Sequence, residues 1–96
     1  MEELIRVSFR TFGPPASIMG TNHAEMTLSG NTVKEFLNEL ELKHNGIRKI
    51  LRPSGDQLSD LIYILVNGTN IHSLNGLDTI LNDGDIISLL PVTAGG

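Results

Sequence analysis

Cysteine is absent from the 96 residues. That excludes a disulfide framework, a thiolate nucleophile and a cysteine metal site. Basic residues are scarce: seven Lys and Arg stand against eleven Asp and Glu, for a formal net charge of -4 and a pI near 5.1. Nucleic-acid binding draws most of its affinity from clustered cations, so the balance argues against a polyanion-binding surface. No apolar run approaches the ~20 residues that span a bilayer. The start, "MEELIRVSF", has neither a basic n-region nor a long apolar h-region. No membrane association is therefore expected, and the expected location is the cytoplasm. Repeats, low-complexity stretches and internal linkers are missing as well.

Sites of catalysis are equally sparse. The glycine-containing stretch 13–20 is not followed by Gly-Lys-Ser/Thr, so it is no phosphate-binding loop. His23, His44 and His72 share no paired spacing on one element, and no metal site is assigned to them. Asp83-Gly84-Asp85 lacks the further oxygen ligands of a calcium loop and reads as turn chemistry. No Ser/His/Asp arrangement stands out. The chain is not expected to catalyse a reaction alone or to hold a bound cofactor.

What is present is a single small domain, 40% apolar and 19% charged, too rich in aliphatic residues for a disordered chain. Ile5, Val7 and Phe9 alternate with Arg6, Ser8 and Arg10, the period of a half-buried strand. "FGPPASIMGTNH" (12–23), with two prolines and two glycines, reads as a loop. A second strand is expected over 24–29 with Met26 and Leu28 on one face, forming a hairpin with the first. In "TVKEFLNELELKHNG" (32–46), Val33, Phe36, Leu37 and Leu40 make one helical stripe. Thr32 and Glu35 fit a capping box, and Gly46 fits a left-handed terminator.

A short helical piece is expected over 47–51, ended by Pro53. Arg48, Lys49 and Arg52 form the chain's one basic cluster, read as a solvated helix end in preference to a binding patch. "LIYILVNG" (61–68) is a continuous apolar strand closed by the hairpin signal Asn67-Gly68. A short return strand is expected over 70–72, a helical turn and a tight Asp83-Gly84 turn within 77–85, and a last strand over 86–90. Two hairpins and a helix in this order make an α+β domain, with one main helix crossing a mixed sheet.

The chain closes on "LLPVTAGG" (89–96). Val66-Asn67-Gly68, Asp83-Gly84-Asp85, Pro91 and Gly95-Gly96 occur in the order seen in the small, sulfur-carrying subunit of molybdopterin synthase. Residues 65–96 resemble the C-terminal third of that family, and the element order extends the resemblance over nearly the whole chain. Archaeal ubiquitin-like modifiers share the pattern. Stretches 13–24 and 52–60 are longer than in the leanest members, and Leu89-Leu90-Pro91-Val92 stands where aromatic residues and two prolines are common.

The resemblance implies a ubiquitin-like β-grasp domain over 1–90 and an extended, flexible Gly-Gly tail over 91–96. It implies that the Gly96 carboxylate is the working group. An adenylating enzyme of the ubiquitin-activating type would use ATP to activate Gly96, and sulfur delivery would convert it to a thiocarboxylate. The molybdopterin synthase large subunit would then receive the sulfur for molybdenum cofactor synthesis. Gly95 and Gly96 suit this role because, without a Cβ, they let backbone donors approach closely. Extended, residues 91–96 reach about 20 Å.

Ile86 and Leu90, outward if Ile87 and Leu89 face the core, are candidate partner contacts, with Pro91 and Phe12 beside them; coverage by a neighbouring loop or simple incidental exposure is the competing explanation. Three other functions stay open: sulfur transfer to thiamin or tRNA, conjugation of Gly96 to target-protein lysines, and an inert interaction module whose glycine-rich end is merely frayed.

Overall fold

The alternation in the first segment becomes strand β1 (Ile5–Thr11), with Val7, Phe9 and Thr11 buried and Arg6 and Arg10 exposed. Strand β2 (His23–Leu28) returns antiparallel, placing Leu28 opposite Ile5 and Met26 opposite Val7. The structure, a computed structural model, describes residues 4–55 and 57–92.

The segment between these strands is not wholly a loop. Pro14–Met19 form a short helix, α1. The residues that signal a break serve as its boundaries. Proline is tolerated in the first turn, where its missing N–H has no helical partner to lose. Gly20 closes the helix in the left-handed conformation (φ 74°), its N–H donating to the Ala16 carbonyl at 2.9 Å.

Helix α2 (Val33–Lys43) carries the expected stripe: Val33, Phe36, Leu37 and Leu40 are all buried. Its cap is Thr32, whose hydroxyl accepts the Glu35 N–H at 3.2 Å. The helix ends at Lys43, short of the terminator expected at Gly46. His44 is already extended, and Gly46, at φ 93°, turns the chain so that Ile47 enters the core. Helix α3 (Arg48–Leu51) follows, with Leu51 buried.

Strand β3 (Ile62–Val66) and the two-residue β4 (Thr69–Asn70) are joined by Asn67-Gly68 at φ 51° and 89°, the positive angles of the hairpin turn whose twist matches the strands. The return strand is shorter than the expected 70–72. The Asn70 side-chain carbonyl accepts the His72 N–H at 2.9 Å and starts a 3-10 turn at Ile71–Ser73, which buries Ile71. A second 3-10 turn (Gly76–Asp78) and the Asp83-Gly84 turn lead into β5 (Ile86–Pro91).

The sheet order is β2-β1-β5-β3-β4, with β1 and β5 parallel at the centre and the other neighbours antiparallel. A mixed five-stranded sheet with one main helix against it is the ubiquitin-like β-grasp. Its inward residues, among them Phe9, Leu28, Ile64, Ile87 and Leu89, pack with the α2 stripe into one core. Phe9 and Phe36 meet edge to face with ring centroids 5.4 Å apart.

The basic cluster is only partly a solvated helix end: Arg48 and Lys49 are exposed, as expected, but Arg52 is not. Arg52 is 2% exposed. Its Nε donates to Glu41 Oε2 at 2.7 Å, and its Nη2 donates to Glu41 Oε1 at 2.6 Å and to Asn38 Oδ1 at 2.7 Å. Arg48 Nη1 reaches the same Glu41 at 3.1 Å, while its Nη2 donates to the Gly55 carbonyl at 3.0 Å. The planar guanidinium matches the carboxylate fork, so α3 and the loop after it are fastened to α2. The clustering in sequence is visible; the acid eleven residues away is not.

Candidate functional site

Both ends of β5 are fixed, by different means. At its start, the Asn67 amide donates to Asp85 Oδ1 at 2.9 Å and its side-chain oxygen accepts the Ile86 N–H at 2.9 Å. Asp85 Oδ2 accepts the Asn82 N–H at 2.8 Å, and the Asp85 carbonyl accepts the Ser8 N–H at 3.0 Å. Asp83 Oδ1 caps the Arg6 N–H at 2.8 Å. The Asn-Gly and Asp-Gly-Asp motifs therefore meet in space and set the register of the strand. They work by placement, a strand's length from Val92.

At its end, β5 is held through the last described residues. The Leu89 carbonyl accepts the Phe12 N–H at 3.2 Å, and the Val92 N–H donates to the Leu61 carbonyl at 2.8 Å. Because successive N–H groups alternate sides, position 91 would aim its N–H away from β3, toward the side where β1 has already ended. Proline loses nothing there. Its ring instead packs on Gly13, where a Cβ would lie 3.3 Å from Pro91 Cγ and where φ is 71°. Glycine at position 13 thus meets two demands at once.

One face of the sheet is covered by α2 and the other is open. On the open face, Tyr63 lies opposite Leu90, Leu65 opposite Ser88, and Ser8 beside Ile86. Ile86 and Tyr63 are each 42% exposed; Leu90 and Leu65 are half-buried. Phe12, 43% exposed, follows inward Thr11, and the parallel register extended by one residue brings it alongside Leu90. The same face is polar on the β1–β2 side, where Arg6 approaches Glu25 at 3.8 Å with both side chains largely in solvent.

The candidate contacts thus divide. Ile86, Leu90 and Phe12 share the open face, whereas Pro91 has the parity of Ile62 and lines a separate groove with Ile50 and Val92 at the sheet's end. Tyr63 and Leu65 belong to the open face and are missed by sequence reasoning, because the uninterrupted apolar run 61–66 carries no alternation. The Asn67-Gly68 turn, which fixes the parity of the strand before it, is the signal that finds them. Gly95 and Gly96 lie outside the described residues. Among the described residues, no cluster of three or more His, Asp or Glu could hold a metal ion, and no helix is long and apolar enough to cross a membrane.

Comparison with known proteins extends this geometry. The profile of the ThiS family matches residues 10–96. The sulfur carrier protein CysO of Mycobacterium tuberculosis is 33% identical over 73 residues, covering 74% of this chain and 78% of CysO. The solution structure of small archaeal modifier protein 1 from Methanosarcina acetivorans superposes with a TM-score of 0.84 at 31% identity, covering 98% of this chain and 99% of that one. CysO in the BexX/CysO complex of Amycolatopsis orientalis gives a TM-score of 0.79 at 28% identity, over 94% of this chain and 99% of that one. The chain belongs to the ThiS family.

Proposed function

We propose that this member of the ThiS family carries sulfur on the carboxyl group of Gly96. An α-carboxylate with an ordinary pKa of ~3.3–3.7 is ionised at neutral pH and is a poor electrophile. Activation comes first. A Gly96 carboxylate oxygen attacks the α-phosphorus of ATP on an adenylating partner, and pyrophosphate leaves. A sulfur nucleophile then attacks the carbonyl carbon of the acyl adenylate, and AMP leaves. With hydrosulfide as that nucleophile, its remaining S–H proton passes to solvent and the terminal carbon holds one oxygen and one sulfur, with no change of oxidation state. With no cysteine in the chain, no side-chain thiol competes for the activated carbonyl.

The observation that carries this reading is the anchoring of β5 through Val92, beside an open face with exposed apolar residues. Four residues follow Val92. Extended, they reach at most roughly 13–14 Å. A folded body that stays outside while its end enters another protein's active site needs such an arrangement. The similarity to CysO supports sulfur as the cargo, and the BexX/CysO complex is a solved case of a CysO with a protein partner. As acceptor we assign the large subunit of molybdopterin synthase, on the motif order of residues 65–96.

A second reading, conjugation of Gly96 to lysines of target proteins, is favoured by the similarity to a small archaeal modifier. It shares the adenylation step and differs in the nucleophile, since a lysine amine would displace AMP to form an isopeptide bond. Intact mass separates the two. Incubation with ATP, a sulfide donor and the adenylating enzyme should exchange one oxygen for sulfur in the full chain, and a Gly96→Ala chain should stay unmodified while melting at the same temperature. Gly-Gly remnants on lysines of digested lysate, without the sulfur-bearing form, would replace the first reading by the second. An unchanged mass beside an active adenylating enzyme ends both. The molybdopterin assignment fails if the sulfur-bearing chain does not convert the pterin precursor with the large subunit.

A further inference from the structure

Besides the open face there is a second apolar surface, at the end of the sheet where the chain continues past Val92. It is a groove of about 390 Å³ with Lys49, Ile50, Pro53, Leu61, Pro91 and Val92 in its lining. One wall is α3 and the loop after it, held rigidly through the Arg52–Glu41 pair. The other is the end of β5. Helix α1 packs against α3, and Gly13, just before α1, packs on Pro91 of this lining.

Leu61 is 69% exposed, and Ile50, although packed on the core, keeps part of its side chain in the groove. Single exposed apolar residues are ordinary. A concave group of them around the root of the tail is different, because of where the tail must go. With residues 93–96 spanning at most roughly 13–14 Å, an active site that takes Gly96 lies within that distance of Val92. The protein enclosing the tail must therefore cover the groove that Val92 lines. Lys49 is the one charged residue in this lining, and among the described residues it makes no ion pair.

We infer that the groove is a docking socket for the adenylating protein, receiving an apolar side chain with a carboxylate beside it for Lys49. This rests on the tail-activation reading above. The adenylating protein is chosen over a sulfur acceptor because the carrier and modifier readings both require it first. The socket lies apart from the open face of the sheet, so it supplies an independent contact that orients the carrier about its tail.

The test is pyrophosphate exchange by the adenylating enzyme, with the full chain as variable substrate. Leu61→Asp should raise KM for the chain about tenfold, equivalent to about 1.4 kcal/mol, with kcat retained. Lys49→Glu should raise KM about threefold at low ionic strength, a deficit that shrinks with added salt. Both side chains are exposed, and melting temperatures equal to the parent verify the fold. Should Leu61→Asp melt early, Leu61→Ser replaces it. Unaltered KM in the Leu61 and Lys49 variants, with the parent chain active, overturns the socket alone. A parent chain that supports no exchange with an enzyme active on another carrier overturns the tail-activation reading, and the socket with it.

Discussion

Ile86 and Ile87 are neighbours on one strand, identical in chemistry, and opposite in environment. Ile87 is fully buried among the residues that meet α2, while Ile86 stands on the open face at 42% exposure. The difference teaches how the molecule divides its work. Burial of apolar area on the helix side stabilises the fold by about 25 cal/mol per Å², and a residue left in water contributes little of this. The apolar residues of the open face therefore contribute little to folding, and their proposed role is contact with a partner.

The sharpest way to break that comparison is to truncate each residue. Ile87→Ala should destabilise the domain by about 4 kcal/mol, through lost transfer energy and the cavity left behind; urea denaturation measures it, and a loss comparable to that of an exposed site would show that the inner face is not the core. Next in size is the clamp behind the groove. Glu41→Ala removes the carboxylate that both Arg48 and Arg52 engage and should lower stability by about 3 kcal/mol. Replacing the Glu41 and Arg52 pair together by Leu should cost less than the single change, which a double-mutant cycle reads directly.

A smaller effect is expected where only the start of α2 is touched. Thr32→Ala deletes the acceptor of the Glu35 N–H and should cost about 1 kcal/mol, seen as a shift of the urea midpoint with an unchanged slope. Smallest of all is Ile86→Ala, expected to alter stability by no more than about 0.5 kcal/mol. Its effect should appear in association instead, as a weaker complex with the adenylating partner by titration calorimetry. Equal binding by Ile86→Ala and the parent chain would remove Ile86 from the contact face.

Much of this architecture was legible beforehand because its signals are local. Helix α2 announces itself through four apolar residues at helical spacing and a hydroxyl cap, and the Asn67-Gly68 turn through two residues that tolerate positive φ. The inward parity of Ile87 and Leu89 follows from the two-residue period. Helix α1 was hidden because proline and glycine mark both the ends of helices and the middle of loops. Arg52 was hidden because an arginine in a basic cluster carries no local sign of the glutamate that receives it. The separation of Pro91 from Leu90 follows from that same period, but the groove that Pro91 lines was beyond reach, since it depends on Lys49, Ile50 and Pro53 lying beside the end of β5.

By itself the sequence determined the main elements and the β-grasp order, since periodicity, capping and turn residues act over a few positions each. Only the tertiary structure decided which apolar residues remain uncovered, how Asn67 and Asp85 jointly set the start of β5, and that Pro91 and Val92 line a groove with residues of α3. Those outcomes depend on contacts between residues far apart in the chain, whose energies exist only once the sheet has brought them together.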